Sequence, residues 1–120
     1  FDADQKGLRQ IAAETRALAG KVREGTITPP ELSGATFTVS NLGMYGIEEF
    51  GAVINSPQAA ILAVGAIQER AKFTKDGVPY PAQLMKVTLS CDHRILYGAE
   101  GAEFLARVRA LLEEPVGLAL

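Results

Sequence analysis

The chain carries one histidine, His93, within Cys91-Asp92-His93-Arg94, where an alternating apolar segment gives way to a helical one. An imidazole with an ordinary pKa of about 6.5 is the side chain best suited to moving protons near neutrality. Loops that hand a strand over to a helix are where scaffolds display such groups. Proton transfer is therefore one reading of His93; the other is that it ties down its loop, with Asp92 and Arg94 as solvated neighbours. Cys91 invites a third idea, a thiol nucleophile beside a base, against which stands the tendency of a strand's last residue to be packed. Other chemistries find no vehicle. No phosphate-cradling glycine loop precedes Lys-Ser or Lys-Thr, no Gly-x-Gly-x-x-Gly opens a helix, and no Gly-x-Ser-x-Gly elbow occurs. One Cys with one His cannot furnish the ligands of a zinc site, so no metal is expected.

The elements that must position His93 follow from periodicity. Leu8, Ile11, Thr15, Leu18 and Val22 form a weakly apolar stripe, predicting a helix from about residue 4 to 24 with Asp4 as cap and Gly25 as stop. Thr28-Pro29-Pro30 predicts a turn or short linker. Thr36 to Ser40 alternates, which places Phe37 and Val39 on a greasy side and Ser40 on the other. The segment Asn41-Leu42-Gly43-Met44-Tyr45-Gly46 is a loop whose glycines permit close approach of a ligand. Ala59 to Ala66 has no polar face and reads as a central strand covered on both sides. Lys75-Asp76-Gly77-Val78 marks a hairpin turn, and Leu84 to Ser90 supplies another strand, in an antiparallel arrangement. Phe104, Leu105, Val108, Leu111 and Leu112 predict a helix ending before Pro115, and Val116 to Leu120 is an apolar tail.

With 120 residues, 48% hydrophobic and 22% charged, the composition is that of one globular domain or part of one. Twelve basic against fourteen acidic residues, net charge -2 and no like-charge block, give no footprint for nucleic acid. The longest apolar run, Ala59 to Ile67, is too short to span a bilayer, no signal peptide is apparent, and a lone cysteine fits a reducing compartment. The opening Phe1-Asp2-Ala3-Asp4, followed at once by helical periodicity, reads as a piece of a larger domain.

Three segments together resemble a known family. Asp92-His93-Arg94-x-x-x-Gly98-Ala99, followed by Glu100-Gly101-Ala102-Glu103-Phe104-Leu105, resembles the His-Arg-x-x-Asp-Gly active-site segment of dihydrolipoamide acyltransferases. Phe37-Thr38-Val39-Ser40-Asn41-Leu42-Gly43 is similar to that family's Phe-Thr-Ile-Ser-Asn-Leu-Gly stretch. Ile54-Asn55-Ser56-Pro57-Gln58-Ala59-Ala60-Ile61-Leu62 is similar to its Ile-Asn-Pro-Pro-Gln-x-Ala-Ile-Leu stretch. An antibiotic acetyltransferase of the same fold would share the histidine signature but is not expected to carry the other two segments.

The resemblance implies a chloramphenicol acetyltransferase-like α/β fold, a two-layer sandwich with a mixed, mostly antiparallel sheet and helices, of which residues 1–120 would be the C-terminal half of the catalytic domain. It implies an acyltransferase moving acetyl, or another acyl group, between dihydrolipoamide and coenzyme A in a 2-oxo acid dehydrogenase complex of the pyruvate dehydrogenase type. His93 would be the general base and Ser40 the donor to the oxyanion, in a site between subunits. Asp92, Arg94 and Tyr97 would brace the active-site loop, and Asn41, Gly43 and Met44 would meet substrate. Tyr97 departs from the pattern, standing where the family usually has an aspartate, and implies altered bracing more than lost activity. Implied partners are two further copies in a trimer that assembles into a larger core, with Leu118 and Leu120 as inter-trimer contacts, the lipoyl group on a separate domain, and the E1 and E3 components through upstream domains. The implied location is a bacterial cytoplasm or an organelle interior (mitochondrial matrix or plastid). The alternative is a catalytically incomplete scaffold piece of the multienzyme core.

Overall fold

The computed structural model describes residues 1–119, so the expected contact at Leu120 lies outside the described residues. The chain divides into two units, Thr36–Gly101 and the flanking Phe1–Ala35 with the stretch from Ala102 on.

In the flanking unit, helix α1 (Leu8–Glu24) follows a short 3-10 turn, Ala3–Gln5. Asp4 therefore does not cap it: Gly7, extended at φ -77 and ψ 161, separates turn from helix and takes the N-cap position without a side-chain bond. Gly25 ends the helix as expected, its φ of 69 opening the left-handed region in which its N–H reaches back to the last-turn carbonyls. Ile11 and Leu18 are half-buried, whereas Leu8 and Val22 at the stripe's two ends are exposed. The expected Thr28–Pro30 linker is ordered as a 3-10 turn, Pro29–Leu32. Glu31 accepts from the Thr28 N–H at 2.9 Å and the Thr28 hydroxyl at 2.8 Å. Lys21 and these two donors hold Glu31 down at about 2. The apolar tail is also structured, as a one-turn helix α3 (Val116–Ala119) after Pro115.

The central unit holds five strands, β1 (Thr38–Asn41), β2 (Ala60–Val64), β3 (Gln68–Phe73), β4 (Pro79–Leu84) and β5 (Val87–Cys91). The first sheet has the order β1-β2-β5, with β1 parallel and β5 antiparallel to β2; β3 and β4 form a separate antiparallel ribbon. The mixed, mostly antiparallel α/β character read from the sequence is thus present. The run without a polar face is the central strand: Ala60, Ile61, Leu62 and Ala63 are all buried. The Asp-Gly turn joins β3 to β4, with Gly77 at φ 80 and the Val78 N–H on the Thr74 hydroxyl at 3.1 Å. The strand expected from Leu84 to Ser90 is present as β5 from Val87 on, while Leu84 is instead the last residue of β4.

In β1 the expected sidedness is reversed. Val39 is 61% exposed and Phe37 is exposed too, while Thr38 and Ser40 are half-buried. Periodicity tells which residues share a face but not which face is covered. Here Gln58, 7% exposed, takes the Thr38 hydroxyl at 2.6 Å and holds that polar side inward. Helix α2 (Gly98–Glu113) follows β5, with Gly101, Leu105, Val108 and Leu111 half-buried at helical spacing.

Candidate active site

Ser40 stands next to last on β1, paired across to Ala63 of β2. The chain then bends sharply. The Asn41 carboxamide oxygen accepts the Gly43 N–H at 2.9 Å, closing an Asx turn, and Leu42 N–H bonds the Val64 carbonyl at 3.2 Å. Gly43–Tyr45 forms a 3-10 turn ended by Gly46. Backbone meets backbone here. A Cβ on Gly43 would lie 2.7 Å from the Gly65 carbonyl oxygen, and one on Gly65 only 1.9 Å from that of Glu48. Ala66 N–H bonds the Ile47 carbonyl at 2.8 Å, and outside it Glu48 pairs with Arg70 at 3.0 Å and Lys86 at 3.3 Å. Arg70 and then Lys86 lower the Glu48 carboxyl. Gly43, expected to meet substrate, is thereby also required for the loop to close on β2. Asn41 likewise spends its carboxamide oxygen on the loop, while Met44 is 76% exposed beside it.

His93 is held differently. Asp92 N–H bonds the Ala59 carbonyl at 2.8 Å, extending the β2–β5 ladder one step, and the Asp92 carbonyl accepts from Ile95 at 3.0 Å and Leu96 at 2.9 Å. The Asp92 carboxylate grips Arg94 four ways, accepting from its backbone N–H at 3.0 Å, from Nε at 3.0 and 3.2 Å, and from Nη2 at 2.7 Å. This fork holds the Asp92 carboxyl at about 2 and raises Arg94. His93 sits exposed between the two, its ring edge-to-face with Tyr97 at a centroid distance of 5.7 Å and 82° between planes. Among the described residues no other side chain hydrogen-bonds either imidazole nitrogen. Tyr97 is the residue before α2; its N–H goes to the Glu100 carboxylate at 2.9 Å and its carbonyl accepts Gly101 N–H at 3.1 Å. Cys91 is half-buried, its Sγ at 3.2 Å from where a Gly101 Cβ would stand, which is packing and not a displayed nucleophile.

The register separates Ser40 from His93. Ser40 lies level with Ala63, and Asp92 level with Ala59, on opposite edges of the three-stranded sheet. Four rungs of about 3.3 Å and two strand spacings of about 4.8 Å put Ser40 and Asp92 roughly 16 Å apart. One chain thus does not bring the two side chains over one atom. A cavity of about 250 Å³ on the β3–β4 ribbon, lined by Glu69, Arg70, Ala71, Pro79, Tyr80 and Pro81, involves neither. Among the described residues no group of three or more His, Cys, Asp or Glu could hold a metal ion.

The family described as 2-oxoacid dehydrogenases acyltransferase (catalytic domain) matches residues 1–120. The chain belongs to this acyltransferase family. The dihydrolipoyllysine-residue acetyltransferase component of the pyruvate dehydrogenase complex is 47% identical in Rickettsia bellii (95% of this chain, 27% of that protein). Its mitochondrial counterpart in Dictyostelium discoideum is 49% identical (98% and 19%). Among solved structures, a probable dihydrolipoamide acetyltransferase from Listeria monocytogenes matches with TM-score 0.89 and 38% identity, over 94% of this chain and 48% of that one. The Azotobacter vinelandii dihydrolipoamide acetyltransferase matches with TM-score 0.89 and 35% identity, over 98% and 48%. Its catalytic mechanism has been probed at a serine, a histidine and an asparagine four positions after the histidine. The chain thus spans about a quarter or less of these two curated relatives and about half of the solved acyltransferase chains.

Two positioning features escape sequence reading, and a third is only half-signalled. Gly65 looks like any glycine in an apolar run, and the Thr38–Gln58 bond joins residues twenty positions apart. Glu100 does carry a local signal, an acidic residue three positions into a helix, but the Ser or Thr that completes that signature is replaced by Tyr97.

Proposed function

We propose that this chain is the C-terminal part of an acyltransferase catalytic domain that moves acetyl between dihydrolipoamide and coenzyme A, with His93 of one copy and Ser40 of another completing each site. The reading is carried by the opposed placement of the two residues, at opposite edges of one sheet and neither able to reach the other within it. A symmetric oligomer can bring the β5 end of one copy to the β1 edge of the next. In the physiological direction, a His93 nitrogen takes the proton from the coenzyme A thiol, an ordinary thiol being mostly protonated near neutrality. The thiolate attacks the thioester carbonyl of acetyl-dihydrolipoamide, and the carbonyl oxygen, gaining charge, accepts the Ser40 hydroxyl proton as a hydrogen bond. Collapse expels the dihydrolipoamide sulfur, which takes the proton back from His93. Asp92 and Arg94 keep His93 presented, each neutralising the other.

The acetyl group and the setting are supported by the names of the relatives, acetyltransferase components of pyruvate dehydrogenase complexes in bacteria and mitochondria. A trimer within a larger core is supported by the cubic core of that complex, which this chain matches with TM-score 0.89 and 35% identity over 98% of its length. Leu118, 37% exposed at the end of α3, would join trimers there. The lipoyl group would arrive on a separate domain, and the E1 and E3 components would be bound through other domains, in a bacterial cytoplasm or organelle interior.

The test uses the full-length protein and acetyl transfer from acetyl-CoA to dihydrolipoamide. His93→Ala should lose about 10² to 10⁴ in kcat and Ser40→Ala about 10² to 10³. Unfolded together and reassembled in equal amounts, the two inactive variants should regain about a quarter of wild-type activity, since a site needs the intact residue from each of two randomly drawn neighbours. A mixture no more active than its components would place the whole site in one copy, and wild-type rates in His93→Ala would remove the base.

A further inference from the structure

We propose that Tyr97 is a positioning residue for His93, fixing the plane of the imidazole by its edge-to-face ring contact while Glu100 closes the junction to α2. This rests on the reading of His93 as the base.

Position 97 stands at the N-cap of a sixteen-residue helix and four residues after His93. The asparagine four positions after the probed histidine of the Azotobacter acetyltransferase has a side chain short enough to accept an N–H of the first helical turn or to reach the preceding loop. A tyrosine cannot cap, because its hydroxyl lies at the far end of a ring. In this chain the two jobs are divided. Glu100 reaches back to the Tyr97 N–H at 2.9 Å, taking over the junction through the acidic half of a capping box. The ring, freed from the helix end, lies 5.7 Å from the imidazole at 82°, within the range where one ring's positive edge meets the other's negative face. The contact is one of ring against ring, at 82° between planes. It also substitutes for a hydrogen bond in orienting the ring, since among the described residues none reaches it. Nothing in the arrangement requires the phenolic hydroxyl.

The full-length variants are assayed for steady-state acetyl transfer and melting temperature. Tyr97→Phe should keep kcat within about 2-fold of wild type, because it keeps the ring. Tyr97→Ser, which supplies a capping side chain but no ring, should melt at or above the wild-type temperature while kcat falls about 3- to 10-fold with KM for both substrates unchanged. Tyr97→Leu should show the same kcat loss without the added cap. Wild-type kcat in Tyr97→Ser and Tyr97→Leu would overturn the proposal, as would a Tyr97→Phe protein as slow as Tyr97→Leu, which would move the role to the hydroxyl. His93→Ala separates the two levels: if it is inactive while Tyr97→Leu is unimpaired, only the role of Tyr97 falls; if it is fully active, the base assignment falls first.

Discussion

The two loops that present Ser40 and His93 leave the same sheet and are fixed by different physics. After Ser40 the chain is held by backbone against backbone, with Gly43 on Gly65 and Gly65 on Glu48 at distances that admit no side chain. Around His93 the backbone is tied at Asp92 and at Tyr97, and side chains add the rest: the Asp92–Arg94 fork, Glu100 on the Tyr97 N–H, and the Tyr97 ring. The oxyanion side of the proposed site is therefore set first by sterics, with the Glu48 ion pairs to Arg70 and Lys86 outside it. The proton-transfer side is electrostatic and can be retuned by exchanging residues, as the tyrosine at position 97 illustrates.

The largest effect that would break this contrast is steric. Gly65→Ala puts a methyl 1.9 Å from the Glu48 carbonyl oxygen and 2.7 Å from its carbon, so the loop must move. A loss of about 3 kcal/mol in chemical denaturation is expected. A variant as stable as wild type would show that the Ser40 loop yields as easily as the other. Next is the polar underside of β1. Thr38→Val removes the donor to the buried Gln58 oxygen, and about 1–2 kcal/mol should be lost, read by the same chemical denaturation. An unchanged midpoint would mean that backbone packing alone fixes β1.

The smallest effect concerns the charged loop. Asp92 is depressed in the folded protein, so the fork's contribution is complete above its ordinary 3.8 and is lost as pH falls through about 2. Arg94→Gln removes the guanidinium but keeps the backbone N–H, and Asp92 should then titrate between those values, followed by carboxylate NMR. Asp92 remaining near 2 would assign the grip to the Arg94 backbone N–H and would make the two loops alike after all.

Much of the fold was legible. A segment without a polar face had to be the covered central strand, an Asp-Gly pair between strands had to turn, and Gly25 had to end a helix, because each follows from local sterics or from burying every side of one strand. Helix starts were less legible: Gly7 overrode Asp4, since a cap works only where the backbone enters the helix. The face of β1 was misread for a related reason, because Gln58 lies twenty residues away and its burial is a tertiary fact.

For the site, the sequence by itself determined the residue types, the order of the segments and the anomaly at Tyr97, since these are properties of a string. Only the tertiary structure decided that Ser40 and His93 stand at opposite edges of one sheet and that Tyr97 meets His93 through its ring. The first is set by strand order and register, which depend on pairings between distant segments. The second is set by how a helix end is closed when its first residue cannot close it.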